Sequence, residues 1–505
     1  MTEKEDKERA AVDVRSVKGD APETSLINIL VVVTACLGGF MYGFAANALS
    51  GSLSQPTFIA KFLSTPDATN IQDGMLSGFL GGALVGAILQ APLSNKFGRR
   101  IANQAASVIV IIFGALQAGS VNVPMFTVCR VICGIGGGML FSNTPVYMSE
   151  VSPPHTRGKM VGLVGVGVVT AYILCAVFAL AFTFVDSPVQ WRCIFIVLTG
   201  FGVIHLASLS FIPESPRWLL QKGRDEEAKS VLEYLHKTKS DTRAVFAHAE
   251  LKSIKAQVEL EKNTPHGYIH ILSTASHRKR AACSILLWVM GQGTGITAIA
   301  NLVPTLMGSL GFDTTMQLGL GVVWTICAII GCGINVLLLD RIGRVKLLTI
   351  GGFGSAAIIA VMGALSKYYL GSDYKPGVNA AVATYFIFGA FFTSTIECTA
   401  YVYGSEIWPT HLRSEGSTIA FASFFGNAVA YTAPVTLALS TVGWKYYMVF
   451  VAVTVVSTVL IIFYFPETQG LTLEEINAKF GDKVELELQD ALAAEDASVS
   501  DTTTA

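Results

Sequence analysis

Charge is what this chain has least of. Only 14% of its 505 residues are Asp, Glu, Lys or Arg, against about 25% in a soluble domain. The net charge is −1, so no basic surface is left over and no nucleic-acid partner is expected. None of the nine cysteines stands at metal-ligand spacing from a histidine, so no metal and no cofactor is expected. The cysteines lie in or beside apolar runs and read as small packing residues. No nucleophile–base set appears, so the chain is not read as an enzyme. Gly134-Ile135-Gly136-Gly137-Gly138 has no strand before it, which argues against a nucleotide loop. With Gly162, Gly165 and Gly167 it reads as a place where helices approach closely.

What is present is apolar length: 52% of the residues are hydrophobic. A membrane span needs about 20 mainly apolar residues. By that rule twelve spans are expected, at about 27–47, 75–95, 102–121, 124–146, 159–184, 193–213, 281–305, 316–339, 346–366, 379–405, 414–440 and 445–466. The fold class is therefore an all-α membrane protein within a lipid bilayer. The first run is long enough to remain as a span, and no cleavable signal is expected. Lys96, Arg99, Arg100, Arg157, Lys159, Arg341, Arg344, Lys346 and Arg413 fall in alternate short loops. The positive-inside rule puts those loops and both termini in the cytoplasm. A polar stretch, 214–280, separates two bundles at 27–213 and 281–466. Val231, Leu232 and Leu235 recur at helical spacing, so two or three short amphipathic helices are expected there, packed under the bundle. The tails are 1–26 and 467–505, the second acidic and Ser/Thr/Ala-rich after about 480.

The chain also repeats itself. Glu150 and Arg157 are echoed by Glu406 and Arg413, Asn95–Arg99 by Asp340–Arg344, and Pro213-Glu214-Ser215 by Pro466-Glu467-Thr468. The offsets are 256, 245 and 253 residues. A duplicated membrane half is a common basis for a carrier with a midplane site and alternating access. The repeated charges fall at span ends. Arg99, Arg100, Glu150, Arg157, Glu214, Arg217, Asp340, Arg341, Arg344, Glu406, Arg413 and Glu467 are expected to form an inner-gate network. In it, an acid such as Asp340 would bond a neighbouring helix N-terminus, and arginines would grip carboxylates bidentately.

These motifs carry a resemblance. Pro213-Glu214-Ser215-Pro216-Arg217-Trp218-Leu219, Gly98-Arg99-Arg100, Asp340-Arg341-Ile342-Gly343-Arg344, Glu406-Ile407-Trp408-Pro409 and Pro466-Glu467-Thr468-Gln469-Gly470-Leu471 resemble the signatures of the sugar porters of the major facilitator superfamily. The likeness runs from about 39 to 475, and looks most like the fungal members. It implies twelve helices in two six-helix bundles with the site between them.

The site positions depart from that pattern. Where the family's first span carries an acid, this chain has Ala45, which cannot hold a proton. Family-type proton symport through that position is therefore excluded. Of the seventh-span amides only Gln292 keeps its place, within Gly291-Gln292-Gly293-Thr294-Gly295-Ile296-Thr297. Glu397-Cys398 and Tyr401 replace the tenth-span Gly-Pro and Trp, and Phe424-Phe425 replaces Asn-Trp. These changes imply a larger, less polar cavity than a hexose site. The candidate substrate contacts are Asn47, Gln292, Thr294, Thr297, Asn301, Glu397, Tyr401 and Phe425. Intramembrane charges are functional candidates, so Glu397 is a candidate for proton coupling and Arg130 for coupling or for meeting an anionic solute. His205 reads as a packing residue. The function expected is a secondary carrier of a sugar or related small solute, with protons as a possible partner, in the plasma membrane. The alternatives are a carrier or exporter of an organic acid or secondary metabolite, and a non-transporting nutrient sensor.

Overall fold

The computed structural model describes residues 25–153, 157–236, 245–262, 268–309, 311–369, 372, 374–409, 412–469, 471 and 473–481. The tails 1–24 and 482–505 and the side chains of Arg157 and Asp340 lie outside the described residues. Among the described residues every long regular element is a helix, as a bilayer demands of a chain that must satisfy its backbone internally.

The first half holds α1 (Leu26–Ser52), a short α2 (Pro56–Phe62), α3 (Ala68–Phe97), α4 (Arg99–Ala118), α5 (Val123–Val151), α6 (Arg157–Thr183) and α7 (Arg192–Leu209). The connection holds α8 (Pro216–Gln221), α9 (Asp225–Leu235), α10 (Val245–Lys262) and α11 (Tyr268–Ser273). The second half holds α12 (Ala275–Gly293), α13 (Ile296–Ser309), α14 (Thr314–Ile342), α15 (Arg344–Tyr369), α16 (Lys375–Phe392), a π turn at Thr393–Glu397, and α17 (Cys398–Glu406). It continues with α18 (Arg413–Thr432), α19 (Val435–Thr441) and α20 (Lys445–Tyr464), and α21 (Leu473–Phe480) follows. Among the described residues, eleven helical runs are long and apolar enough to cross a membrane, and α7 is a shorter twelfth.

Several expected spans differ in detail. The seventh is two helices, α12 and α13, parted at Thr294-Gly295, where the Thr294 hydroxyl turns back to the Gly291 carbonyl at 2.7 Å. The eleventh divides at Ala433-Pro434, because proline has no N–H to continue the ladder. The second starts at Ala68 and not at 75, so Asp73 is helical. The connection carries four helices where two or three short ones are expected. It packs on itself around Trp218, Leu219, Leu220, Ala228 and Val258, while Leu235 and Ile271 join the main core of the bundle and Val231 packs against both. The Trp218 indole donates to the Asn95 carbonyl at 3.1 Å and ties this unit to α3.

Glycine sets the closest seam, between α3 and α5. A methyl group on Gly82 or Gly86 would collide with the Val131 or Ile135 carbonyl, and one on Gly138 with Ala83. The halves face each other along α3 against α18 and α19, and along α6 against α14.

The repeated charges form two matching clusters. In the first half the Glu214 carboxylate accepts from the backbone N–H groups of Arg99 at 2.9 Å and Arg100 at 3.1 Å. It thereby caps α4, whose dipole favours an anion there. The Arg99 guanidinium donates to Glu150 at 2.8 and 3.0 Å. Ser215 donates to Glu150 at 2.5 Å. In the second half Glu467 accepts from the N–H groups of Arg344 at 2.8 Å and Val345 at 3.0 Å. Arg344 donates to Glu406 at 3.3 and 3.1 Å, and Thr468 donates to Glu406 at 3.0 Å. Gly98 and Gly343 enter the capped helices at φ 106° and 99°, a region other residues rarely adopt. The described caps thus come from Glu214 and Glu467, which approach from loops far along the chain. Each of these bonds holds helices within one half. Arg217 and Arg413 are half-buried and Arg341 is exposed.

Glu214→Ala and Glu467→Ala should each leave two helix N–H groups without an acceptor. Each should remove about 1–3 kcal/mol of stability, seen as a lower thermal midpoint of the detergent-purified protein. Gln at either position should recover part of the loss. A loss confined to one half would contradict the equivalence of the two clusters.

Candidate functional site

A cavity lies between the halves. Asn47, Tyr42, Phe79, Leu80, Arg130, Val169 and Tyr172 line it from the first half. Gln292, Thr297, Asn301, Leu318, Trp324, Thr393, Glu397, Tyr401 and Phe424 line it from the second. Six of the eight expected substrate contacts are therefore brought together. The other two are not. Thr294 is buried and serves the break between α12 and α13, and Phe425 lies fully buried behind Phe424.

The hydrogen bonds decide what the polar groups offer. The Asn47 amide nitrogen donates to the Tyr172 carbonyl at 3.2 Å. The Asn301 amide nitrogen donates to the Thr297 carbonyl at 2.9 Å. A carbonyl can only accept, so both amide orientations are fixed, and each asparagine keeps its oxygen as an acceptor and a second amide hydrogen as a donor. Thr297 donates to the Gln292 side-chain oxygen at 2.6 Å, which leaves the Gln292 amide nitrogen as donor. Glu397 adds a carboxyl group, hydrogen-bonded by Tyr401. The cavity thus offers acceptors at the Asn47, Asn301 and Glu397 oxygens and donors at the amide nitrogens of Gln292, Asn47 and Asn301.

Glu397 is aimed by the π turn, a local widening often found at functional sites. The turn is pinned from α14. Asn335 donates to the Thr393 carbonyl at 3.2 Å and accepts from Thr399 at 3.0 Å. Ser394 bonds the Phe391 carbonyl at 2.9 Å.

Arg130 does not snorkel. It is 1% exposed, and its terminal nitrogens donate to the Ala45 and Ala46 carbonyls at 2.7 and 3.1 Å. Its guanidinium lies 4.5 Å from the Phe79 ring centre. With Ala at 45, backbone dipoles and a ring face stand where a counter-acid is absent. Its Nε has no hydrogen-bond partner. His205 is buried and packs with Ser107 on Nδ1 at 3.0 Å, as a structural residue would.

Two further contacts join the halves. At the charged-cluster end, Phe141 of α5 stacks on Tyr42, centroids 4.3 Å apart, and meets Phe421 of α18 at 5.0 Å. At the opposite end, the Asp73 carboxylate of α3 accepts from the N–H groups of Thr436 and Leu437 in α19 at 2.9 and 3.0 Å. Sequence reading missed Tyr42, Phe79, Phe141, Tyr172, Trp324 and Asp73. Aromatic residues in apolar runs look alike whether they face lipid or a cavity, and Asp73 lay outside the expected span.

The family model described as sugar (and other) transporter matches residues 31–480. The chain belongs to that family. It is similar to the MFS-type transporter criB of Aspergillus cristatus, 28% identical across 89% of this chain and 92% of the relative. It is similar to the high-affinity glucose transporter of Kluyveromyces lactis, 28% identical across 90% and 86%. The major myo-inositol transporter IolT of Bacillus subtilis is 27% identical across 89% and 93%. The structure of the proton:xylose symporter XylE bound to 6-bromo-6-deoxy-D-glucose superposes with a TM-score of 0.76 at 23% identity, covering 91% of this chain and all of that one. That likeness shows the major facilitator fold. This sugar porter is a multi-pass secondary carrier and not an enzyme.

Asn301→Leu should remove one acceptor from the cavity while leaving the fold intact. The half-saturation concentration for a hydroxylated solute should rise roughly two- to tenfold, from a loss of about 0.5–1.5 kcal/mol. Concentration-dependent uptake checks it, and an unchanged half-saturation would remove Asn301 from the site.

Proposed function

We propose that this protein carries a small polyhydroxylated solute, a sugar or polyol, across the plasma membrane by alternating access. The observation that supports this is the set of oriented amide and carboxyl groups on the cavity wall, which offers both acceptors and donors as hydroxyl groups require. The oxygens of Asn47 and Asn301 and the carboxyl of Glu397 all call for hydrogen-bond donors. Hydroxyl groups are donors, and a solute with several of them matches the set. The aromatic and aliphatic lining provided by Tyr42, Phe79, Leu80 and Phe424 suits the C–H faces of a ring. Relatives named for glucose and myo-inositol agree with this class. An anionic solute is less well served, because the lining's cation, Arg130, is already held by two backbone carbonyls and the Phe79 ring face, and Glu397 places a carboxyl on the same lining.

In this reading the charged clusters face the cytoplasm, as the positive-inside rule requires. They brace each half as a rigid unit, so that the halves rock rather than deform, and they act in gating in that sense. Glu397 is the proton-coupling candidate. It is a cavity carboxyl in a span, and the symporter-type acid is absent at 45.

Purified protein in proteoliposomes should show counterflow of at least one labelled hexose, pentose or cyclic polyol. If Glu397 couples protons, an inward proton gradient should drive accumulation. Glu397→Gln should then abolish that accumulation and keep counterflow. Accumulation that survives the substitution would rule Glu397 out as the coupling group. Folded protein with no counterflow of any polyhydroxylated solute would overturn the assignment itself.

A further inference from the structure

We propose that Phe141 is the plug that closes the solute path at the charged-cluster end. It is 2% exposed and sits on α5, in the first half. Its ring lies among rings of the second half: Phe421 at 5.0 Å, Tyr401 at 6.0 Å, Phe424 at 6.0 Å and Phe425 at 6.1 Å between centroids. On its other side it stacks on Tyr42, with 21° between the planes. Tyr42, Tyr401 and Phe424 line the cavity, whereas Phe141 stands behind them.

Its depth fits a plug. Phe141 is nine residues before Glu150 on the same helix, about 13 Å at the helical rise. It is eleven residues after Arg130, a cavity residue, about 16 Å by the same rise. It therefore lies between the cavity and the charged clusters. Because its partners belong to the other half, every one of these ring contacts except the Tyr42 stack must part when the halves separate at this end. The Asp73 contact to α19 ties the opposite end and is independent of Phe141. Removing the ring should thus loosen one end only.

The test uses a thiol introduced by Ala300→Cys, a cavity-lining position on α13. The increment over the same protein without that substitution is read with a membrane-impermeant maleimide in right-side-out and inside-out vesicles. Phe141→Ala should raise labelling from the charged-cluster face severalfold and leave labelling from the other face equal or lower. Phe141→Tyr, which keeps the ring, should return parent rates. Phe141→Leu serves if the alanine variant does not fold, and should give an intermediate rise. Parent labelling rates from both faces in a folded Ala or Leu variant would overturn the proposal. So would a rise that Phe141→Tyr fails to reverse. The proposal rests on alternating access and not on the solute's identity, so an absence of sugar counterflow leaves it unaffected.

Discussion

Two glutamates sitting on two helix starts hold the rest of this molecule in register. Glu214 caps α4 and Glu467 caps α15, each from a loop that arrives after its half's last span. Arg99 and Arg344, the first residues of those helices, reach Glu150 and Glu406 on the fourth span of their halves. Tyr147 and Tyr403 then bond the Pro213 and Pro466 carbonyls at 2.7 and 3.2 Å. One cluster therefore fixes the second, third, fourth and last spans of a half at one level. Part-buried, charge-assisted bonds of this kind lock geometry more firmly than exposed pairs. A half that is rigid at its end can move as a body.

That rigidity gives the interface between the halves its role. The halves touch through the Phe141 rings toward one end, through Asp73 and α19 at the other, and around a polar cavity in between. The cavity's chemistry follows from where its amides are already bonded. Asn47 and Asn301 each give one amide hydrogen to a carbonyl nearby, which fixes their oxygens as acceptors for a solute. Losing the family's hydroxyl-binding residues need not make the site apolar, because the groups that remain are consistently oriented.

The fold was legible because charge is scarce and repeated. Span number, the duplicated halves and the Arg–Glu pairs follow from apolar length and matched motifs. Helix breaks at Thr294-Gly295 and Pro434 were harder, since both lie within continuous apolar runs and depend on tertiary contacts. The polar half of the cavity was legible at Asn47, Gln292, Thr297, Asn301, Glu397 and Tyr401. Its aromatic half was not, because hydrophobicity does not say which way a ring faces. Arg130 was legible as an intramembrane charge, but its use of the Ala45 and Ala46 carbonyls is a matter of helix packing that spacing does not encode.

The most direct test of the account is competition for transport by a transported sugar or polyol and its singly deoxygenated and singly O-methylated analogues. Both changes remove a donor, and O-methylation keeps the acceptor oxygen. Accepting oxygens at Asn47 and Asn301 predict that both analogues of a hydroxyl they contact compete more weakly, by a similar factor. Undiminished competition by every O-methylated analogue, with weakened competition by the deoxygenated ones, would mean that the site donates rather than accepts, and would contradict the account.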